Sequence, residues 1–353
     1  MIGCMVGWIV GGGGVVSRPL AAADCVVETA AGSGGAGLVL RFAPTCSQSE
    51  REARAVQATA ILDALMKERR VELVGVIVQG DLNLDRLPVR GAVSGEQTVP
   101  EGLEEARGRE LRHIREALII RDSIVRGAVR HGLAEGALLF AQPIDLRGTT
   151  FDEEVDFSRS IFQEAVRLSG ATFQKEAYFV QGSFMKGLDC RETKFGPRTR
   201  FHRSVFRGPV DCAGALFDGM AELLEVVFEQ PAVFERARFG SGTGFSGSRF
   251  ARTANFEEAI FSRDSFFAFS VFEETVVFSG ARFLGSADFS GAVFRRPDDL
   301  AKARFDVPPL FTDASRVSEE SPAPGSGLSF GSYAVTAACL ALAVALLVYA
   351  WKI

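Results

Sequence analysis

From Phe151 onward, every eleventh residue is phenylalanine: Phe151, Phe162, Phe173, Phe184, Phe195, Phe206, Phe217, Phe228, Phe239, Phe250, Phe261, Phe272, Phe283, Phe294 and Phe305. A second series, begun at Phe157 with the same step, is Phe at ten of its fifteen positions; Leu168, Leu223, Leu300, Cys190 and Cys212 fill the rest. Together the two series hold 25 of the chain's 30 Phe. The gaps between successive large residues alternate six and five, which fits neither the three–four spacing of a helix nor the two-residue spacing of a plain strand. Two residues before each Phe of the first series stands a small residue, such as Ser160, Ala171, Gly182, Thr193 or Ser204, with Val226 the exception. A pair of inward residues at i−2 and i is what one short extended side of a coil presents to a core. The small residue leaves room for the large one, and the chain turns between sides.

A fixed period of this kind marks a solenoid. The composition agrees: 30 Phe against 3 Tyr and 2 Trp favours dry packing over a stacking surface with polar tips. The segments "VDFSRSIF", "VRLSGATF", "VVFSGARF" and "ADFSGAVF" resemble pentapeptide-repeat proteins of the Phe-centred variety. The resemblance covers roughly Leu146 to Phe311 and implies a right-handed quadrilateral β-helix. This sequence departs from that pattern by one added residue after every second pentad, so a four-sided coil takes about 22 residues. In such a coil Leu168, Cys190, Cys212 and Leu300 share one column and Leu223 lies in another. The expected neighbours are i and i+22, for example Phe239 and Phe261.

Upstream, Phe140 and Leu146 are in phase, as are Val129, Ile124 and Leu118. Residues 71–145 therefore read as irregular first coils, with a looped insertion at 88–110. Residues 24–70 read as an N-terminal segment whose helix, Ser47 to Arg70, begins with a Ser47–Glu50 capping box and covers the end of the solenoid. After the solenoid at 146–311, residues 312–330 form a Pro/Gly/Ser-rich linker. The stretch from Tyr333 to Trp351 carries no charge and is long enough to span a bilayer as a transmembrane helix within 331–353. Residues 1–23 include an apolar stretch and an Ala21–Ala23 motif like a signal-peptide cleavage site. The expected fold is thus an all-β solenoid with an N-terminal capping helix and a C-terminal transmembrane helix. The expected location is the membrane through one C-terminal pass, with the solenoid on the non-cytoplasmic side; a tail anchor with a cytoplasmic solenoid is the alternative.

Nothing in the sequence points to catalysis, to a cofactor or to a metal. His113, His131 and His202 stand outside any metal-ligand spacing and read as exposed or incidental, and Gly11–Gly14 lacks the Lys-Ser/Thr of a phosphate loop. Cys25 and Cys46 are candidates for a disulfide; Cys190 and Cys212 read as buried thiols that can bond if they stack one coil apart. Between Phe151 and Phe311 there are 23 acidic and 20 basic residues. Paired acids such as Glu153-Glu154, Glu257-Glu258, Glu273-Glu274 and Asp298-Asp299 therefore read as a solvated face, and a nucleic-acid partner is not expected. The functional expectation is a non-catalytic, membrane-tethered solenoid presenting flat faces to an unidentified protein. The alternative, implied by the family resemblance, is a DNA-mimicking rod that protects topoisomerases.

Overall fold

The computed structural model describes residues 25–30, 37–92, 110–132 and 136–316. The chain divides into two compact units, Met1–Val317 and Ser318–Ile353, and the second lies outside the described residues.

The repeat folds as a four-sided coil. Each turn lays one short strand on each of four parallel sheets, here called sides A to D in chain order. In one turn these are Val166–Arg167, Thr172–Phe173, Ala177–Tyr178 and Ser183–Phe184. Among the described residues, sides A, B and D have eleven strands and side C has nine. At about 4.8 Å per coil the eleven-stranded sides extend about 48 Å. Residues i and i+22 are ladder partners: Phe239 pairs with Phe261, their ring centroids 4.8 Å apart and nearly parallel.

The two Phe series become four stacks. Phe151 to Phe305 in steps of two periods lines side B, and Phe140 to Phe294 lines side D. Within a stack the rings lie face to face, as for Phe228 and Phe250 at 4.7 Å; between stacks they meet edge to face, as for Phe250 and Phe256 at 6.1 Å. Both geometries suit the ring quadrupole. The small member of each inward pair lies between the stacks. At several positions where it is Ser or Thr, the buried hydroxyl donates to a carbonyl of the preceding coil: Ser204 to Phe179 O at 2.6 Å, Ser248 to Leu223 O at 2.7 Å and Thr193 to Leu168 O at 2.9 Å. A dry core accepts hydroxyls on that condition.

The alternating gaps of five and six have a structural meaning. The five-residue corners, A to B and C to D, are tight turns closed by i to i+3 hydrogen bonds such as Ala171 N to Leu168 O at 2.8 Å. Their third residue is left-handed, with Gly170 at φ +68 and Gly214 at φ +66, but also Arg159 at +55 and Glu225 at +55. The six-residue corners carry the added residue. At one of them a Cβ on Gly219 would lie 1.9 Å from the Pro197 carbonyl oxygen of the coil before, so no side chain fits.

Three features shape the N-terminal end, and the first and third depart from its sequence reading. First, the single helix expected over Ser47 to Arg70 is two: α1, Gln48–Ala53, and α2, Ala58–Met66. The capping box at Ser47 and Glu50 is present. Between the helices a short strand, Val56–Gln57, pairs with the strand Ile77–Gln79 as the first rung of side B. Ladder bonds with the next coil outcompete helix continuation there. Second, α2 buries Ala58, Ile61, Leu62, Ala64 and Leu65 and takes the place of sides C and D in the first coil, closing the core. Third, the upstream phase shifts. Val125, not Val129, pairs with Phe151, while Val129 pairs with Val155. Side D keeps the regular i to i+22 step, Leu138 with Ser160, so four extra residues enter between His131 and Leu138.

The expectation of a transmembrane helix is corrected. Among the described residues no helix is long and apolar enough to cross a membrane. The longest, α2, has nine residues, about 14 Å of helix against a hydrocarbon core of about 30 Å. Tyr333 to Trp351 and residues 1–23 lie outside the described residues. The membrane tether, the membrane as a partner, the signal peptide and both single-pass locations drawn from the sequence are accordingly without support.

Candidate interaction faces

With the large apolar side chains turned inward, the outside of each coil is a set of columns in which residues i and i+22 sit one above the other. On sides C and D these columns match opposite charges. Arg200 meets Glu222 at 2.6 Å, Arg203 meets Glu225 at 2.7 Å, Arg252 meets Glu274 at 2.6 Å, and Glu273 lies between Arg249 at 3.1 Å and Arg295 at 2.5 Å. The hydrogen bond from Arg203 holds the Glu225 carboxyl below its ordinary range. On side A, Arg147 and Arg191 fork onto Asp145 and Asp189. Of the acid pairs read as solvated, Asp298 is the exception: its side chain is covered by Arg316.

Side B is different. Its outward column runs Lys194, Leu216, Arg238, Ile260, Arg282 and Arg304. The four cations are exposed and the two aliphatics half-buried. Among the described residues Lys194, Arg238 and Arg282 have no ion-pair partner.

Two phenylalanines are displayed. Phe266 and Phe269, outside both periodic series, are 43% and 68% exposed on side C and its corner. Phe269 takes φ +58, a left-handed conformation that is rare for a bulky residue. Leu310 on side C and Leu284 and Val307 beside side B are exposed at the same end of the coil, at 53%, 36% and 43%.

The histidines do not converge. His131 is fully buried and shares a hydrogen bond at Nδ1 with Asp85, 2.7 Å away, correcting its reading as exposed. It occupies the inward position that Phe157 fills one coil later, as the pairing of Val129 with Val155 requires. The phase shift in this coil hid that position from the sequence. Burial pushes its pKa down against the bond to Asp85, with Arg159 and Asp156 nearby. The sign follows: above an unfolded value of about 6.5 the neutral ring contributes its full stability. As pH falls below that value toward the lowered folded one, the unfolded chain takes up the proton first and stability is lost. Amide-exchange protection at Leu82–Asn83 and Val129–Arg130 is expected to weaken between about pH 7 and pH 5, and His131→Phe to remove that slope. An unchanged slope in the variant would refute the assignment.

The four described cysteines meet in pairs. Cys25 and Cys46 are joined as a disulfide with Cα atoms 5.2 Å apart. Cys190 and Cys212 stack on side A one coil apart, their Cα atoms 4.6 Å apart and their sulfurs joined. Two surface depressions beside Arg191 on side A are shallow and lined by Ser169, Gly170 and Glu192 or by Arg167, Lys186 and Asp211. Among the described residues no group of three or more His, Cys, Asp or Glu is placed to hold a metal.

A family model described as pentapeptide repeats (9 copies) matches residues 139–183, 157–205 and 223–271, all within this coil. The coil is built of pentapeptide repeats. No curated protein and no solved structure matches it.

Proposed function

We propose that the pentapeptide-repeat rod is a non-catalytic binding scaffold that meets a partner protein through its outer sides. The observation that carries this reading is the displayed pair Phe266 and Phe269. The chain otherwise places Phe in its dry core, and every other described Phe is buried or half-buried. Two exposed rings near one another in sequence on side C and its corner form a patch of the kind that marks interaction sites. A photo-crosslinking residue at Phe266 is expected to trap a protein adduct in the native host extract, and one at the exposed Arg249 on side D is not. Phe269→Ser should abolish the adduct without lowering the melting temperature. Absence of adducts from every side would overturn the scaffold reading.

A second reading, in which the partner is a topoisomerase and the rod mimics DNA, is favoured by the net charge of −5 and by acids in the outward column of side A at Asp145, Asp189 and Asp211. The Arg–Glu columns on sides C and D work against it, because mimicry needs a field of one sign. Stoichiometric rod added to a topoisomerase supercoiling and cleavage assay distinguishes the two. Protection of the enzyme supports mimicry, and unchanged cleavage removes it.

A further inference from the structure

The column of side B is a surface with a readable complement. Its outward residues alternate cation and aliphatic at successive coils from Lys194 through Leu216, Arg238 and Ile260 to Arg282. Successive cations are thus two coils apart, about 9.6 Å. That distance is near the Debye length at physiological ionic strength, so the column does not strongly repel itself. On sides C and D the arginines already have carboxylate partners from neighbouring coils. Lys194, Arg238 and Arg282 have none among the described residues and keep their full capacity for a partner's carboxylates.

We propose that side B docks an acidic amphipathic α-helix of the partner protein, lying along the rod axis. This rests on the scaffold reading and names the face and the partner chemistry. A helix advances about 5.4 Å per turn against about 4.8 Å per coil. Carboxylates at every seventh helix position, about 10.5 Å apart along its axis, meet Lys194, Arg238 and Arg282. Apolar residues one turn from each carboxylate meet Leu216 and Ile260. The mismatch of about 1 Å per pair of coils is within the reach of flexible Lys and Arg side chains. At the C-terminal end the column is flanked by the exposed Leu284 and Val307, which follow Phe283 and Phe305 of side B. A continuous polyanion fits less well. Phosphates offer no apolar group to Leu216 and Ile260, which alternate with the cations along the column.

The test uses the full chain and a synthetic helical peptide of about 20 residues with Glu at every seventh position and Leu one turn away. The comparison probes are a scrambled peptide, polyglutamate, duplex DNA and vesicles of mixed phosphatidylcholine and phosphatidylglycerol. The helical peptide is expected to bind best, with affinity falling as salt rises. Arg238→Glu combined with Arg282→Glu is expected to lose at least about tenfold at an unchanged melting temperature, while Arg252→Ala on side D binds as wild type. Equal binding of the scrambled peptide, preference for DNA or vesicles, or full affinity in the double variant would overturn the proposal. Failure here with crosslinks still forming at Phe266 removes the side B assignment alone; failure of crosslinks on all sides removes the scaffold reading itself.

Discussion

Phe250→Ala is expected to destabilise the rod by roughly 3–5 kcal/mol, the usual cost of truncating a buried Phe. The ring is fully buried, stacked on Phe228 at 4.7 Å and on Phe272 at 5.0 Å, and it meets Phe245 and Phe256 across the core. Four other rings lose a partner at once, and the regular coil has no slack to close the cavity, because each backbone rung is bonded to the rungs on either side. Arg252, two residues on, points outward and pairs with Glu274, both partly exposed. Its change to Ala should cost less than about 1 kcal/mol. Thermal or denaturant melts of the two variants beside the wild type check this. Similar losses at the two positions would mean that residue 250 does not face the core.

Ile61→Asp should be at least as damaging, on the order of 4 kcal/mol or more, and should change the association state as well. Ile61 is fully buried in α2, where that helix replaces two sides of the first coil. An aspartate there loses the burial of the isoleucine side chain and leaves a carboxylate in an apolar site without a partner. Detaching α2 also uncovers the end of the Phe and Leu columns together with open strand edges, which template pairing with other chains. Light scattering is expected to show self-association of this variant at concentrations where the wild type shows none. Asp63→Ala, on the exposed side of the same helix where Asp63 only meets Lys67, is the control and should behave as wild type. A monodisperse Ile61→Asp rod with a wild-type melt would show that α2 does not close the core.

The amino-acid sequence alone carried the coil. The eleven-residue Phe period and the alternating gaps of six and five made a four-sided turn of two periods the consistent arrangement. They also assigned the inward positions from Phe151 to Phe311, because local spacing repeats without interruption there. The Ser47–Glu50 capping box was legible for the same reason: it is a local pattern. What only the tertiary structure decided are relations between coils wherever the period is broken. Four extra residues after His131 shift the phase of one turn and carry that histidine into a column otherwise built of Phe and Leu. A ladder partner one coil further on, Val78, pulls Val56 out of a helix that its neighbours would have continued. Which arginines are paired and which stand free on side B depends on the residue one coil above or below. Neighbour identity across coils is fixed by the exact number of residues per turn, and hydrogen bonding between rungs, rather than any local preference, sets that number where the repeat lapses.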